Sequence, residues 1–258
     1  MQYKTLIPLL LFLFVLNSCN KKEGNISFET IHKSEKDFDC VTADCPEISI
    51  QQLVALGSSK EMKSVAEAIN RNISEHIIYS ISSYDDEESP ESIEDASKRF
   101  ISRYKEDKLE FPDMVAHYTA SVESEKIHDT DKLLSIRMFT HLYTGGAHGY
   151  SSVSYLNFDP KTGDGIAIEQ MIIDIEDFIN FVEIKFREAH DIPKTGDINA
   201  TRFMFEGNTF ILPSSMGFDE KHMLFTYNPY DIAPYSEGLI ELKIPINEIQ
   251  PFININLN

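Results

Sequence analysis

The spacing of apolar residues changes period near residue 114. Before it, apolar side chains recur every three or four positions over residues 60–80 and again over 92–108, which predicts two amphipathic helices. After it, apolar and polar residues alternate, and this period of two predicts an antiparallel meander of three strands over 114–125, 133–143 and 150–158. We expect the third strand to end at a turn formed by residues 159–163.

A third helix and further strands are predicted in the second half of the chain. Asp174 suits the N-cap of a helix whose inward residues include Phe178 and Phe186. Later segments with the composition of strands are residues 203–212, 222–227 and 239–244. Runs of helices and antiparallel strands without βαβ alternation indicate an α+β fold, with an antiparallel sheet and helices packed on one side.

The first residues of the chain predict a lipoprotein signal peptide. Lys4 precedes an apolar run from Leu6 to Leu16, which is too short to span a bilayer and suits the core of a signal peptide. The residues that follow, Leu16-Asn17-Ser18-Cys19, have the pattern of a bacterial lipobox. We expect residues 1–18 to be removed and acyl chains on Cys19 to hold the protein on a bacterial membrane, in the periplasm or at the cell surface.

Two cysteines remain, Cys40 and Cys45, separated by a short loop. An oxidising cell envelope favours a disulfide between them. Metal binding is the weaker interpretation, because no further Cys or His pair stands nearby at a structural-zinc spacing.

Charge restricts the classes of partner. The formal net charge of −19 argues against nucleic-acid binding and against docking on anionic head groups, so we expect membrane contact through the lipid anchor alone. Complementary charge favours a strongly cationic partner. Acidity that serves only solubility is the alternative.

A glycine-rich segment, residues 143–149, separates the second and third strands of the meander. Gly145, Gly146 and Gly149 predict a tight turn, a bulge or a close approach of the backbone. Tyr143 and His148 are its candidate contact residues. The alternatives are that the segment only shapes the sheet, or that His141, His148 and Asp159 bind a metal.

A second candidate is the tyrosine- and proline-containing segment 227–235. Tyr227, Tyr230 and Tyr235 offer large amphipathic rings at low entropic cost, a composition favoured at binding surfaces and able to stack on sugars. The alternative is that these rings pack over the sheet and bond to the backbone.

The sequence contains no HExxH, GxSxG, P-loop or Rossmann pattern. We therefore expect no cofactor, no metal site and no catalytic residues. A wall hydrolase remains as an alternative without candidate residues.

The order of residues 143–149, 157–163, 224–238 and 242–246 resembles the C-terminal domain of RsiV-type anti-sigma factors. Residues 27–125 are more loosely similar to the domain that precedes it there and in PdaC-type peptidoglycan deacetylases. The lipobox and the polar residues after it predict a lipidated tether over residues 19–26. The resemblance implies two intimately associated subdomains, an N-terminal α+β, helix-rich one over 27–125 and a C-terminal one over 126–258.

The resemblance implies binding rather than catalysis. In RsiV this region is similar to a receptor that grips lysozyme and blocks its cleft. The present sequence shows no counterpart of the anti-sigma segment, the membrane helix or the deacetylase catalytic domain, so sigma-factor signalling and deacetylation are not carried over. We expect a non-catalytic envelope lipoprotein that binds lysozyme or another cationic wall-acting protein, as receptor, decoy or inhibitor. Peptidoglycan or glycan binding is the alternative.

Overall fold

The computed structural model describes residues 25–36, 40, 45–82 and 88–257. The expected signal peptide and the expected lipidation site, Cys19, lie outside these residues. Within them the chain forms two β-sheets with packed helices, which confirms the predicted α+β class.

Five strands form the larger sheet and lie side by side in chain order: β1 (Ile26–Lys36), β2 (Glu47–Gly57), β3 (Thr119–Asp129), β4 (Leu134–Tyr143) and β5 (Tyr150–Phe158). Neighbouring strands are antiparallel except β2 and β3, which pair in parallel. Two helices, α1 (Lys60–Ile81) and α2 (Ile93–Glu110), connect these two strands. A long helical crossover returns the chain in the same direction, so the sheet is mixed rather than purely antiparallel.

Helices α1 and α2 pack against the larger sheet. Ser59 and Ser92 cap them, each hydroxyl accepting a hydrogen bond from the third following backbone N–H. The buried side chains of α1 recur at helical spacing and meet Ile50, Val122 and Ile136 of the sheet. Both predicted helices are confirmed to within two residues at each end.

A second, smaller sheet packs into a separate hydrophobic core. It contains β6 (Ser215–Phe218), β7 (His222–Tyr227) and β8 (Ile240–Pro245), all antiparallel. Its core includes side chains of α3 (Ile168–Met171), α4 (Ile175–Ala189) and α5 (Ile246–Ile249). Asp174 caps α4 as predicted, because its Oδ1 accepts hydrogen bonds from the N–H groups of Glu176 and Asp177. The ring of Phe186 is the centre of this core, 5.0–5.6 Å from four other rings, those of Phe203, Phe205, Phe210 and Tyr227.

The predicted strand over residues 203–212 is wrong. This segment is irregular and contains a 3₁₀ turn at Glu206–Asn208. Gly207 and Asn208 adopt positive φ angles of 61° and 57°, which interrupt an extended chain. Its three phenylalanines are nevertheless buried, because they fill the aromatic core around Phe186.

The structure also differs from the expected layout of the N-terminal half. Neither β1 nor β2 was predicted, since β1 is only half-buried and β2 buries Gln52 and Leu53 consecutively, which breaks the alternation. The expected boundary after residue 125 falls within β3, because β4 and β5 continue the same sheet.

Polar side chains join the two sheets along β5. Asn157 accepts a hydrogen bond from Ser135 Oγ (2.8 Å) and donates one to the carbonyl of Met216 in β6 (3.0 Å). Tyr155 Oη lies 3.1 Å from Thr226 Oγ1 in β7. Asn157 and Ser135 are both buried, so these bonds fix how the smaller sheet sits on the larger one.

Candidate binding surface

The glycine-rich segment forms the turn between β4 and β5. Gly145 and Gly146 have φ angles of 94° and 85°, which residues other than glycine rarely adopt. The hydroxyl of Tyr143 donates a hydrogen bond across the turn to the carbonyl of Gly146 (3.2 Å). The turn is therefore a tight connection, as predicted, and it leaves His148 exposed.

Gly149 allows a close approach at the base of this turn. A Cβ atom there would lie 2.7 Å from Cε1 of His141 and 2.9 Å from the carbonyl oxygen of Leu142. Nδ1 of His141 in turn lies 2.8 Å from Oγ of Ser151. In this position any side chain would push the histidine away from β5.

The tyrosine segment forms the loop after β7. Asn228 anchors it, accepting a hydrogen bond from the N–H of Val153 (2.8 Å) and donating one to the carbonyl of the same residue (3.1 Å). Tyr230 has a φ of 77° and is 61% exposed. Asp231 Oδ2 accepts a hydrogen bond from the N–H of Asn228 (2.7 Å), which closes the loop over its anchor. Burial raises the pKa of Asp231, an effect that this hydrogen bond opposes.

The two candidate segments meet. The rings of His148 and Tyr235 are stacked, with centroids 3.6 Å apart and planes inclined by 14°. The hydroxyl of Tyr235 donates a hydrogen bond to the carbonyl of Gly149 (2.6 Å), and Tyr230 lies 5.6 Å from Tyr235 between ring centroids. We call the exposed or half-buried rings of His148, Tyr230 and Tyr235 the aromatic surface.

Not every candidate residue belongs to the aromatic surface. Tyr227 is 1% exposed and donates a hydrogen bond to the carbonyl of Ile211 (2.5 Å), and burial raises its pKa. It is a core residue of the smaller sheet. Cys40 and Cys45 are joined by a disulfide, far along the chain from either candidate segment.

The alternative metal site does not form in the described residues. His141 bonds to Ser151 and His148 stacks on Tyr235, while Asp159 lies beyond the opposite end of β5, roughly 30 Å away for a strand of this length. No group of three His, Cys, Asp or Glu residues in the described part of the chain is arranged to hold a metal ion.

His141 and Ser151 pair as a histidine and a hydroxyl, the arrangement that nucleophilic catalysis requires. In the described ranges, however, no carboxylate bonds to the other ring nitrogen of His141 to orient it.

Comparisons with known proteins divide the chain into two parts. Residues 40–151 match the family model described as deacetylase PdaC, and residues 171–247 match the model described as a protein of unknown function, DUF3298. Two family models thus match side by side. The PdaC match begins after β1 and covers β2, β3, β4 and the first residues of β5, together with α1 and α2. The DUF3298 match covers all three strands of the smaller sheet and α4.

Solved structures of the DUF3298 family share the fold. A member from Bacteroides fragilis superposes with a TM-score of 0.70 at 20% sequence identity, covering 90% of this chain and 94% of that one. A DUF3298 family protein from Pseudomonas aeruginosa gives 0.68 at 18% identity, covering 90% and 96%. No curated protein matches the sequence. No helix among the described residues has the length and apolar character needed to cross a bilayer.

Proposed function

We propose that this chain is a non-catalytic envelope lipoprotein that binds a cationic wall-acting protein, such as lysozyme, through the aromatic surface. The resemblance to the RsiV C-terminal domain supports the binding of lysozyme in this proposal, and the match to the PdaC model supports only its wall-associated role. The observation that carries it is the contact between His148 and Tyr235, which joins the two segments singled out in the sequence.

The aromatic surface has the composition of a binding site. Tyr230 is exposed, and the positive φ that holds it outward is strain of the kind found at functional positions. Tyrosine and histidine rings held by stacking and a hydrogen bond lose little conformational entropy when a partner binds.

The charge of the protein supports a cationic partner. With a formal net charge of −19, the protein attracts a basic enzyme over a distance and raises its association rate, an effect of about 10–10³-fold for steered encounters. A lipid anchor at Cys19 keeps such a receptor at the membrane, where wall-degrading enzymes arrive. Bound there, it acts as a receptor, a decoy or an inhibitor.

Titration of purified protein with hen lysozyme at low and high salt tests the proposal. We expect tight binding at 50 mM salt, weakening by about tenfold or more at 300 mM because screening shortens the reach of surface charge. Binding should also slow the cleavage of wall material by the enzyme. No binding at low salt contradicts the proposal. Salt-resistant binding of muropeptides instead of lysozyme would favour the glycan-binding alternative.

A further inference from the structure

A groove with a volume of about 840 Å³ lies between the second half of α1, residues 89–91 and the helix-facing side of β4 and β5. This volume falls within the range of about 300–1,000 Å³ that is typical of small-molecule sites. The rings of the aromatic surface do not line it. The groove is therefore a separate feature of the larger sheet.

Small hydroxyl residues create the floor of the groove. Ser152 and Ser154 of β5 pair with Thr140 and Met138 of β4, so they face the helices. Elsewhere this face carries large apolar side chains such as Ile136 and Val122, which fill the space below α1. The serines leave that space open at β5 and place hydroxyl groups where a core would otherwise continue.

Aromatic rings and carboxylates line the walls. Tyr79 on α1 is 68% exposed and Tyr150 at the start of β5 is 38% exposed. Glu75 and Glu91 are exposed, and neither forms an ion pair with another described residue. The described lining contains no lysine or arginine. Burial lowers the pKa of His76, so this ring in the wall stays neutral at neutral pH and does not repel a cation.

We infer that this groove binds a glycan with free amino groups, such as a run of glucosamine units. Sugar hydroxyls match the serine and threonine floor, sugar ring faces match Tyr79 and Tyr150, and ammonium groups match Glu75 and Glu91. An N-acetylated glycan lacks the ammonium groups. A lysine-rich peptide meets the carboxylates and rings but offers few partners to the hydroxyl floor. The inference does not depend on the proposed function.

Isothermal titration of the purified protein with a glucosamine hexamer, an N-acetylglucosamine hexamer and a lysine hexapeptide tests this inference. We expect the glucosamine hexamer to bind about tenfold or more tightly than the other two, because charge-assisted hydrogen bonds exceed neutral ones by about this amount. Equal binding of the two hexamers, tighter binding of the peptide, or no binding of the glucosamine hexamer overturns it.

Matched variants locate the site. Glu75→Gln with Glu91→Gln should weaken glucosamine-hexamer binding by about tenfold, and Ser152→Leu, which fills the floor, should weaken it as well. Glu106→Gln with Glu110→Gln removes the same charge from exposed positions roughly 20 Å further along α2 and should leave affinity unchanged. An equal loss of hexamer affinity in both double variants would show that the glycan is attracted by the overall negative charge, and would overturn the assignment of the site to this groove. Tyr235→Ala should leave hexamer affinity unchanged, which separates this test from that of lysozyme binding.

Discussion

Asn228→Ala removes the anchor of the tyrosine loop and exposes an edge of the larger sheet. Strand β5 is an edge strand, and the outward N–H of Val153 is bonded only to Asn228 among the described residues. The carbonyl of Val153 accepts from Asn228 and also from Ser215 Oγ (2.7 Å), so it keeps one partner in the variant.

The expected loss of stability in Asn228→Ala follows from these contacts. Val153 is 5% exposed, so an unpaired N–H there costs about 1–3 kcal/mol, and the lost bond to the carbonyl adds about 1 kcal/mol. We expect the free energy of unfolding to fall by ~2–4 kcal/mol in total. Urea denaturation measures this loss, with an unchanged m value showing that the unfolded state is not altered.

Asn72→Ala is the matched control. Among the described residues its amide makes one hydrogen bond, to the carbonyl of Ala68 one turn earlier in α1, and alanine is a better helix former than asparagine. This variant should change stability by no more than ~0.5 kcal/mol. A loss of the same small size in Asn228→Ala would refute the anchoring role of Asn228.

Four further variants are to be compared with the unsubstituted protein by urea denaturation. Gly149→Ala should destabilise the protein by ~1–3 kcal/mol, because the new methyl group overlaps His141, and an unchanged stability would argue against the close approach. Gly146→Ala has open space around it and should cost only the ~1–2 kcal/mol of its positive φ. Asp174→Ala should cost ~1 kcal/mol through the lost N-cap of α4, and an unchanged midpoint would show that the cap contributes nothing. Burial lowers the folded-state pKa of His190 below 6.5, so the unfolded state binds the proton more readily and stability should fall as pH drops from 7 towards 5; His190→Gln should reduce this fall, and an identical pH profile would contradict the assignment.

Sequence periodicity predicted the elements whose burial is one-sided. Helix α1 buries one stripe of residues, and successive side chains in the strands of the meander point alternately towards the helices and towards the opposite face. Both arrangements produce a regular spacing of apolar residues in the sequence. The N-cap Asp174 was predicted for the same local reason. The residues that specify such an element lie within a few positions of one another in the sequence.

Elements that depend on distant partners were not predictable in this way. Strand β1 is half-buried and pairs with β2 alone in the part of the chain that the structure describes. The parallel pairing of β2 with β3 depends on a crossover of two helices. Residues 203–212 have the composition of a strand because Phe203, Phe205 and Phe210 enter one aromatic core, although Gly207 and Asn208 turn the backbone.

In the candidate site, too, the local features were predictable and the long-range contacts were not. Glycines in the turn and tyrosines in the loop marked both segments as unusual, and each was singled out. Nothing in the sequence placed His148 against Tyr235, since this contact requires Asn228 to bring the loop of the smaller sheet onto β5 of the larger one. Tyr227 was grouped with its neighbours although its side chain points into the core.

The affinity of lysozyme for Tyr235→Ala tests the central claim most directly. Loss of this ring removes the stack on His148 and the hydrogen bond to Gly149, and a central aromatic contact of this kind is worth about 2 kcal/mol, or roughly thirtyfold in affinity. Ile184→Ala, an exposed apolar residue on α4, is the control and should leave affinity unchanged. Wild-type affinity in Tyr235→Ala, with the variant still folded, would show that the partner does not bind through the aromatic surface.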